Sequence, residues 1–453
     1  MNNKNIRVTL LMLTIFLSIS GIYANSMNDT TETKTGWTLG ALPTITFDTD
    51  LGFQYGGLTN FYFYGNGSTY PEYLHSLYFE VSRFTKGSGI NRFFYDSKHL
   101  IPNYRITTDI SYLTEQALSF FGFNGSEAIY NPNWIDEDSE LYRSRLFYAH
   151  DRKIFRFTTD LQRNFGKNFR WIAGIALYNY SIGSLDLDRL NKGNKSVLPD
   201  TASLYDLYVD WGVIPESEKD GGFHGYLKGG VVYDTRDNEP NPFKGIFTEL
   251  VLSFSPKIDQ NPGETHLKAA LIHRQYFTLI NKRLALAYRV MYQATLGDHA
   301  PFYLQPYLTT TFLRGANNEG LGGAKSIRGI MRNRIVGNDV LLTNVELRAK
   351  SNTFKILKQN IYIGLNGFVD GGMVTRNIKF NKEEILNQIA LQNPDYRSND
   401  FFNSKNRDVF HIGYGAGLRF ALNENFIIAV DYAQALNKND GTNGIYIALN
   451  YIF

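Results

Sequence analysis

The eight histidines of this chain are the residues best suited to bind a metal or to transfer protons, and their positions argue against both roles. They are His75, His99, His150, His224, His266, His273, His299 and His411. None has metal-ligand spacing with another histidine, and the chain has no cysteine. The sequence also lacks a G-x-S-x-G nucleophile elbow and a glycine-rich phosphate loop. We therefore expect no catalytic residue, no metal and no cofactor; a serine–histidine pair that meets across strands is the remaining route to catalysis.

Three other segments combine charged residues with glycine. They are 233–238 with Asp234, Arg236, Asp237 and, further on, Pro242 and Gly245; 322–330 with Arg328 and Gly329; and 367–372 with Phe368 and Asp370. Aspartate and asparagine favour turns. We therefore interpret Asp234, Arg236 and Asp237 as a cluster that stabilises a turn, and not as a metal or catalytic site.

The N-terminus has the pattern of a secretory signal peptide. Lys4 and Arg7 precede an apolar run from Val8 to Ser20, and small residues lead to a plausible cleavage site after Ala24. The run is too short for a transmembrane helix. We assign residues 1–24 to the signal peptide and residues 25–41 to a short polar segment without apolar periodicity.

The composition of the remaining chain favours a membrane barrel over a soluble protein. Aromatic residues make up 15% of the chain, and the mean hydropathy is only −0.28. Barrel strands alternate, so their hydropathy averages out, while aromatic girdles at both membrane interfaces require many aromatic side chains. Removing Lys4 and Arg7 lowers the formal net charge from +3 to +1, which gives no reason to expect a nucleic-acid partner.

Period-two alternation recurs from Leu42 to Phe453 and predicts about sixteen strands. In the segment 412–420, one face is apolar, while the other carries His411, Gly413, Gly415, Gly417 and Arg419. A glycine and charged face opposite an apolar face fits a wet lumen and a lipid exterior. The segment 445–453 alternates in the same way and ends on an aromatic residue, as such barrels usually do.

The lengths of the connections support this reading. The long ones span 113–152, 183–222, 297–338 and 371–408, and all four follow odd-numbered strands. With a periplasmic N-terminus, every long loop is extracellular and most turns are periplasmic, as in bacterial outer-membrane barrels. The sequence therefore predicts an all-β, transmembrane antiparallel barrel over residues 42–453, exported to the bacterial outer membrane.

In this order and context, the three charged segments resemble the barrel of the BamA/TamA-type outer-membrane assembly superfamily, the bacterial surface antigen family. The resemblance covers Leu42 to Phe453 and is densest from Gly225 onward. It implies that the long loop after strand eleven folds into the lumen and that strand thirteen holds its tip. The tip corresponds to Ile327, Arg328 and Gly329, with Ile330 in place of the expected aromatic residue.

The residues themselves agree with this geometry. On predicted strand thirteen, Phe368 and Asp370 face the lumen, where a carboxylate needs a partner and an arginine fork is the best one. We therefore predict a contact between Arg328 and Asp370, with Glu346 and Arg348 nearby. The glycine row at 413, 415 and 417 leaves room for the folded-in loop.

The chain departs from the family pattern before the barrel. Well-known members carry periplasmic POTRA domains there, and about fifteen residues are too few for such a domain. The resemblance therefore implies a barrel-only branch, with client handling left to another protein. The first strand, predicted at Leu42–Phe47, contains Pro43, which lacks a backbone donor. A short strand of this kind would pair poorly with strand sixteen, which predicts a seam able to open laterally.

Three functions follow as hypotheses. The first is outer-membrane biogenesis, the insertion or translocation of proteins or lipids, with outer-membrane lipids and other outer-membrane or periplasmic assembly proteins as partners. The second is a passive pore narrowed by the folded-in loop, whose conductance should rise when Arg328 is replaced. The third is a structural or surface-binding barrel that uses aromatic and polar loop segments such as Tyr130–Tyr142 and Ala316–Gly323.

Overall fold

The computed structural model describes residues 32–48, 52–259, 261–297, 299–306, 319–392, 397–403 and 407–453. The predicted signal peptide, residues 25–31 of the polar segment and residues 316–318 of the predicted binding loop lie outside these ranges. No helix among the described residues has the length and apolar character needed to cross a membrane.

Seventeen strands form one sheet within the described ranges. They are β1 (Trp37–Asp48), β2 (Gly52–Phe63), β3 (His75–Phe84), β4 (Gly89–Ile101), β5 (Tyr104–Ser119), β6 (Ala149–Asn164), β7 (Phe169–Gly183), β8 (Gly221–Asp234), β9 (Gly245–Ser255), β10 (His266–Ile280), β11 (Leu284–Gly297), β12 (Asp339–Lys350), β13 (Phe354–Ile356), β14 (Gln359–Arg376), β15 (His411–Leu422), β16 (Phe426–Ala435) and β17 (Asn443–Leu449).

The strand pairs are antiparallel, which confirms the predicted fold class. The additional strand relative to the prediction is β13, a three-residue segment that pairs only with the first residues of β14. β12 pairs directly with β14 over Asp339–Lys350. Residues 351–353 separate β12 from β13, so β13 continues the line of β12 along β14 and does not add a further strand to the circumference.

The two ends of the barrel differ in the length of their connections. The long connections are 120–148, 184–220, 298–338 and 377–410, and all lie at one end, the long-loop end. Most connections at the opposite, short-turn end are tight turns, such as the one at residues 281–283. The described parts of the long connections contain four short helices: α1 (Leu187–Asn191), α2 (Leu204–Asp210), α3 (Lys382–Gln392) and α4 (Ser398–Phe401).

The long connections pack together into an aromatic cluster at the long-loop end, here called the aromatic cap. Its buried rings include Phe120, Phe121, Phe123, Trp134, Phe147, Tyr148, Tyr205, Tyr208, Trp211, Phe302, Tyr303, Phe401 and Phe402. Many pairs meet edge to face, such as Phe120 and Tyr208 with ring centroids 5.3 Å apart. Trp134 comes from the segment predicted as a surface-binding loop, so part of that segment is buried instead.

The first strand is longer than predicted. β1 begins at Trp37, five residues before the predicted start, and pairs with β2 along all twelve residues, Pro43 included. Proline is tolerated here because it lies in a terminal strand and not in the middle of the chain's run of strands. Among the described residues, the backbone ladders follow the chain order from β1 to β17, with β12 and β13 both pairing with β14.

Side chains connect the first two strands with β16 and the turn that precedes it. The Phe426 ring of β16 lies so close to Gly40 of β1 that a Cβ there would be 2.4 Å from it. The Tyr62 hydroxyl donates to the Asn425 carbonyl at 3.0 Å, and the Asn425 amide donates to the Tyr64 hydroxyl at 2.7 Å. Aromatic and amide contacts therefore close the circumference at this seam.

The end of the last strand differs from the prediction. Alternation placed Tyr451 and Phe453 on the outer face, but β17 ends at Leu449 and Asn450 has φ +65°. A left-handed residue reverses the chain direction, so both rings turn into the lumen and are buried. The guanidinium of Arg348 stacks on them, 4.3 Å from the Tyr451 centroid and 4.7 Å from that of Phe453.

Candidate functional site

Residues 319–338 of the connection between β11 and β12 fold back into the barrel and are here called the lumen loop. A two-residue bridge between Leu321 and Ile335 closes its base, with N···O distances of 2.9 and 3.1 Å. The Ser326 hydroxyl donates to the Gly322 carbonyl at 2.9 Å, which tightens the turn inside that bridge. Ile327 and Ile330 are buried against β12 and β14, so apolar packing and backbone bonds both fix the tip.

Arg328, at the tip of the lumen loop, is completely buried and contacts three carboxylates. Its Nε lies 2.7 Å from Asp370 Oδ2 and its Nη2 lies 3.0 Å from Asp370 Oδ1. Nη2 also lies 2.7 Å from Glu346, and Nη1 lies 3.0 Å from Asp431. The structure thus brings together Arg328 and Asp370 in the forked geometry that matches a carboxylate; we call this set of contacts the Arg328 lock.

Two further arginines balance the charge around the lock. Arg348 Nε lies 2.8 Å from Glu346, and Arg419 Nη1 lies 2.6 Å from Asp431. Three arginines therefore meet three carboxylates, which makes the buried cluster formally neutral. Neutrality matters because an unpaired charge away from water is very costly.

The Phe368 ring and two glycines shape the space for the lock. The guanidinium of Arg328 lies 3.4 Å from the Phe368 ring centroid, a cation–π contact. A Cβ at Gly413 would be 1.9 Å from the Arg328 carbonyl oxygen, and one at Gly329 would be 2.5 Å from the backbone of Gln434. Gly329 also has φ +90°. The inward glycine at 413 therefore does leave room for the loop, as its alternation suggested.

Sequence reasoning missed two partners of the lock. Asp431 lies on β16 and Tyr446 on β17, and the Tyr446 hydroxyl accepts a hydrogen bond from the Gly329 amide at 2.9 Å. Asp431 did carry a local signal, because a carboxylate between Val430 and Tyr432 on a lipid-facing strand must face inward. Tyr446 carried none, since tyrosine is common on both faces of a barrel strand.

The motif at Asp234, Arg236, Asp237 and Gly245 forms the connection between β8 and β9. Arg236 Nη2 lies 2.8 Å from Asp234 Oδ2, and Asp237 Oδ1 accepts the amide hydrogens of Phe243 and Lys244. Gly245 has φ +109°, and a Cβ there would be 2.3 Å from the Thr235 carbonyl oxygen. Residues 235–244 therefore form a turn that is stabilised by its own side chains. The Arg236 guanidinium also points inward over the Phe247 ring and lies 4.4 Å from the ring centroid. The prediction of a turn-stabilising cluster did not include this contact.

One serine–histidine pair meets at the long-loop end. Ser126 Oγ lies 3.4 Å from His411 Nε2, but its hydroxyl hydrogen is donated to Asp408. The His411 ring lies between carboxylates, with Nε2 2.9 Å from Asp408 and Nδ1 2.8 Å from Asp440. A serine engaged by a carboxylate is not oriented to lose its proton to histidine. The group instead ties together the connections at 120–148, 377–410 and 436–442.

No group of three or more histidine and carboxylate side chains in the described ranges could hold a metal ion. Other charged residues of the lumen form ion pairs along the wall. Examples are Arg92 and Arg156 around Asp109, with Nη2–oxygen distances of 2.7 and 2.8 Å. The lumen is therefore lined by ion pairs and partly filled by the lumen loop. Within it, the Arg328 lock is the largest set of connected hydrogen bonds and ion pairs that we identify.

Solved structures of outer-membrane barrels are similar to this chain. BamA of Haemophilus ducreyi lacking POTRA domains 1–3 shares 13% identity over 91% of this chain and 70% of that chain, with a TM-score of 0.48. CdiB of Escherichia coli shares 10% identity over 93% of this chain and 64% of that chain, with a TM-score of 0.52. The chain thus spans less than two thirds of the length of CdiB, and at this identity the likeness concerns the fold.

A family comparison covers most of the barrel. No curated protein sequence matches the chain. Residues 75–453, from the start of β3 to the buried Phe453, match the model of the Omp85 superfamily domain. The match contains the whole lumen loop, the strands that hold Arg328 and the connection between β8 and β9. The chain belongs to the Omp85 superfamily.

Proposed function

We propose that this protein acts in outer-membrane biogenesis by helping proteins or lipids to insert into or cross the outer membrane. The observation that carries the proposal is the lumen loop anchored by the fully buried Arg328, in a barrel of the Omp85 superfamily. Barrels of this superfamily are bacterial outer-membrane proteins. The corresponding topology has a cleaved signal peptide, a periplasmic N-terminus and extracellular long loops. Its partners would be outer-membrane lipids and other outer-membrane or periplasmic assembly proteins.

The seam between the first and last strands gives this proposal a physical route. β17 has only seven residues and turns inward after Leu449, while β1 has twelve. Side chains reach across this seam, from Phe426 of β16 to Gly40 of β1 and from Tyr62 of β2 to Asn425 before β16. A last strand of seven residues can form only a short ladder. Because each ladder bond contributes about 1 kcal/mol, separating the first and last strands should cost less than separating a pair of longer strands.

The filled interior argues against a passive pore. The lumen loop, the aromatic cap and the inward rings of Tyr451 and Phe453 occupy space that a porin of similar strand number leaves to water. A surface-binding barrel has weaker support, because the aromatic rings of the long connections mostly pack against each other.

Depletion of the gene, followed by quantification of folded outer-membrane proteins and surface lipoproteins, tests the proposal. We expect a selective fall in other barrels or lipoproteins. Complementation with the wild-type gene should restore them, whereas Arg328→Ala and Asp370→Ala should not. The matched control is Arg163→Ala, which removes an exposed arginine at the short-turn end that bonds only locally to Tyr104 in the contacts described.

The result that would count against the proposal is an unchanged outer-membrane proteome after depletion. It would show that the superfamily fold is present without the assembly role. If Arg328→Ala, present at wild-type levels, restored the other barrels and lipoproteins, the role in biogenesis would not depend on the Arg328 lock. The seam between the first and last strands would then be the feature to test.

A further inference from the structure

The connection between β8 and β9, residues 235–244, reaches under the lumen at the short-turn end and is here called the strap. Its base is rigid: the Asp237 amide donates to the Lys244 carbonyl at 3.1 Å, and the Thr278 hydroxyl donates to the Phe243 carbonyl at 2.9 Å. Its tip carries Glu239 and Pro240, which line a cavity inside the barrel mouth. The strap is therefore a short, self-supported segment positioned across an opening.

Glu239 bonds the tip of the strap to the barrel wall at β4 and β5. Its Oε1 lies 3.0 Å from Arg105 Nη1 and 3.2 Å from Lys98 Nζ, and its Oε2 lies 3.1 Å from Arg105 Nη2. Lys98 is on β4 and Arg105 is on β5, so the contact passes β6 and β7. Burial alone would raise the pKa of Glu239, but Arg105 and Lys98 hold it well below its ordinary value. The carboxylate therefore remains charged.

The wall side of this contact does not depend on the strap. Arg105 also forms a fork with Asp96, with distances of 2.8 Å from Nε to Oδ1 and 2.6 Å from Nη2 to Oδ2. Lys98 also contacts Glu72. Loss of the Glu239 carboxylate would leave both cations paired, so the barrel wall should keep its structure while the strap loses its attachment.

The cavity behind the strap leads into the lumen. Its lining combines Phe94, Thr107 and Gln162 of the wall with Arg236 and Pro240 of the strap. Thr107 is on β5, three per cent exposed, and its hydroxyl lies in the interior without a hydrogen-bond partner among the described residues. A probe at this position would report whether the mouth is open.

We propose that the strap is a gate that closes an entrance to the lumen from the short-turn end, and that Glu239 is its latch. Release of Glu239 from Arg105 and Lys98 lets the tip swing away from the β4–β5 wall, while the base near Gly245 stays fixed. The gate is a feature of the lumen itself and stands whether or not the protein serves in biogenesis.

Site-specific thiol labelling tests the gate, because the chain contains no cysteine. Thr107→Cys introduces a single buried thiol, and its reaction with a membrane-impermeant maleimide is timed in the folded, reconstituted protein. Labelling of a protected site scales with the population of the open state. Loss of a few charge-assisted contacts should therefore accelerate labelling on the order of tenfold in Glu239→Gln. Glu239→Lys, which faces two cations, should accelerate it further.

The matched control is Glu72→Gln, the same change at a carboxylate of the same mouth that contacts Lys98 but does not belong to the strap. It should leave the labelling rate unchanged. A second reference is Lys167→Cys at an exposed turn, whose rate should be equal in all backgrounds. The latch side chains are 13 and 27% exposed, so raising salt from 0.05 to 1 M should also accelerate labelling at residue 107.

The gate is refuted if the thiol at residue 107 reacts at one rate with and without the Glu239 carboxylate and at both salt concentrations. Equal acceleration by Glu72→Gln would refute it as well, because the effect would then follow the charge of the mouth and not the latch. The salt comparison needs no change at Glu239, so it decides the question even if those variants fail to fold.

Discussion

Replacement of Arg328 by alanine should destabilise the barrel more than any exposed substitution. The variant removes the guanidinium from Asp370, Glu346 and Asp431 but leaves all three carboxylates buried. Two keep an arginine of their own: Glu346 retains Arg348, and Asp431 retains Arg419. Asp370 keeps only neutral donors, among them the Asn344 amide at 2.8 Å. Most of the loss in stability should therefore come from Asp370, whose charge is left without a cationic partner.

The size of the destabilisation follows from the buried carboxylate that loses its arginine. Breaking one partner of a buried ion pair typically costs about 3–5 kcal/mol because the other charge is left without compensation. We expect Arg328→Ala to lower the free energy of unfolding by about that amount. Arg328→Lys should lie between wild type and alanine, since lysine supplies a charge but cannot form the fork with Asp370.

A double-mutant cycle with Asp370→Asn separates lost packing from a stranded charge. In that background Asp370 no longer carries a charge, so adding Arg328→Ala should cost about 2 kcal/mol less than it does alone. The assay is urea-induced unfolding in lipid vesicles, followed by the fluorescence of the four tryptophans. Equal costs in both backgrounds would refute the reasoning, because they would show that the carboxylate is not what the arginine compensates.

Three smaller changes give further predictions. Gly413→Ala, whose Cβ would meet the Arg328 carbonyl at 1.9 Å, should lower stability by about 1–3 kcal/mol and expose the lumen loop to trypsin. His411→Gln should accelerate hydrogen exchange in the connections that the histidine ties together, because a glutamine amide has no ring to lie between the carboxylates of Asp408 and Asp440. Leu357→Asn should raise stability by about 0.5–1 kcal/mol in urea unfolding, because Leu357 is exposed at φ +49°, a region that asparagine tolerates better.

Each of these predictions has a direct counter-result. Gly367→Ala is the matched control for Gly413→Ala, since a Cβ at Gly367 meets no atom within 4 Å; equal trypsin sensitivity would contradict the packing argument. Unchanged exchange in His411→Gln would show that the loops are held by the aromatic cap alone. A loss of stability in Leu357→Asn would mean that the exposed side chain makes contacts worth more than the backbone strain.

The sequence by itself determined the direction in which most wall residues point. Period-two alternation reports a local property of the backbone, so it placed Phe368, Asp370 and Gly413 in the lumen before any partner was known. The resemblance to the assembly superfamily supplied Arg328 as the partner of Asp370, and the need of a buried carboxylate for a cation agreed with it. The same logic overextended the last strand, because alternation cannot detect that Asn450 takes a left-handed conformation and turns the chain inward.

The tertiary structure alone decided which distant segments meet. The aromatic cap combines four connections, the lock takes Asp431 and Tyr446 from the last two strands, and the strap reaches past two strands to Arg105. None of these contacts has a local signature, because each depends on how far the sheet curves before its ends approach one another. Local periodicity fixes the face on which a side chain lies, whereas the curvature of the whole barrel fixes what that face meets.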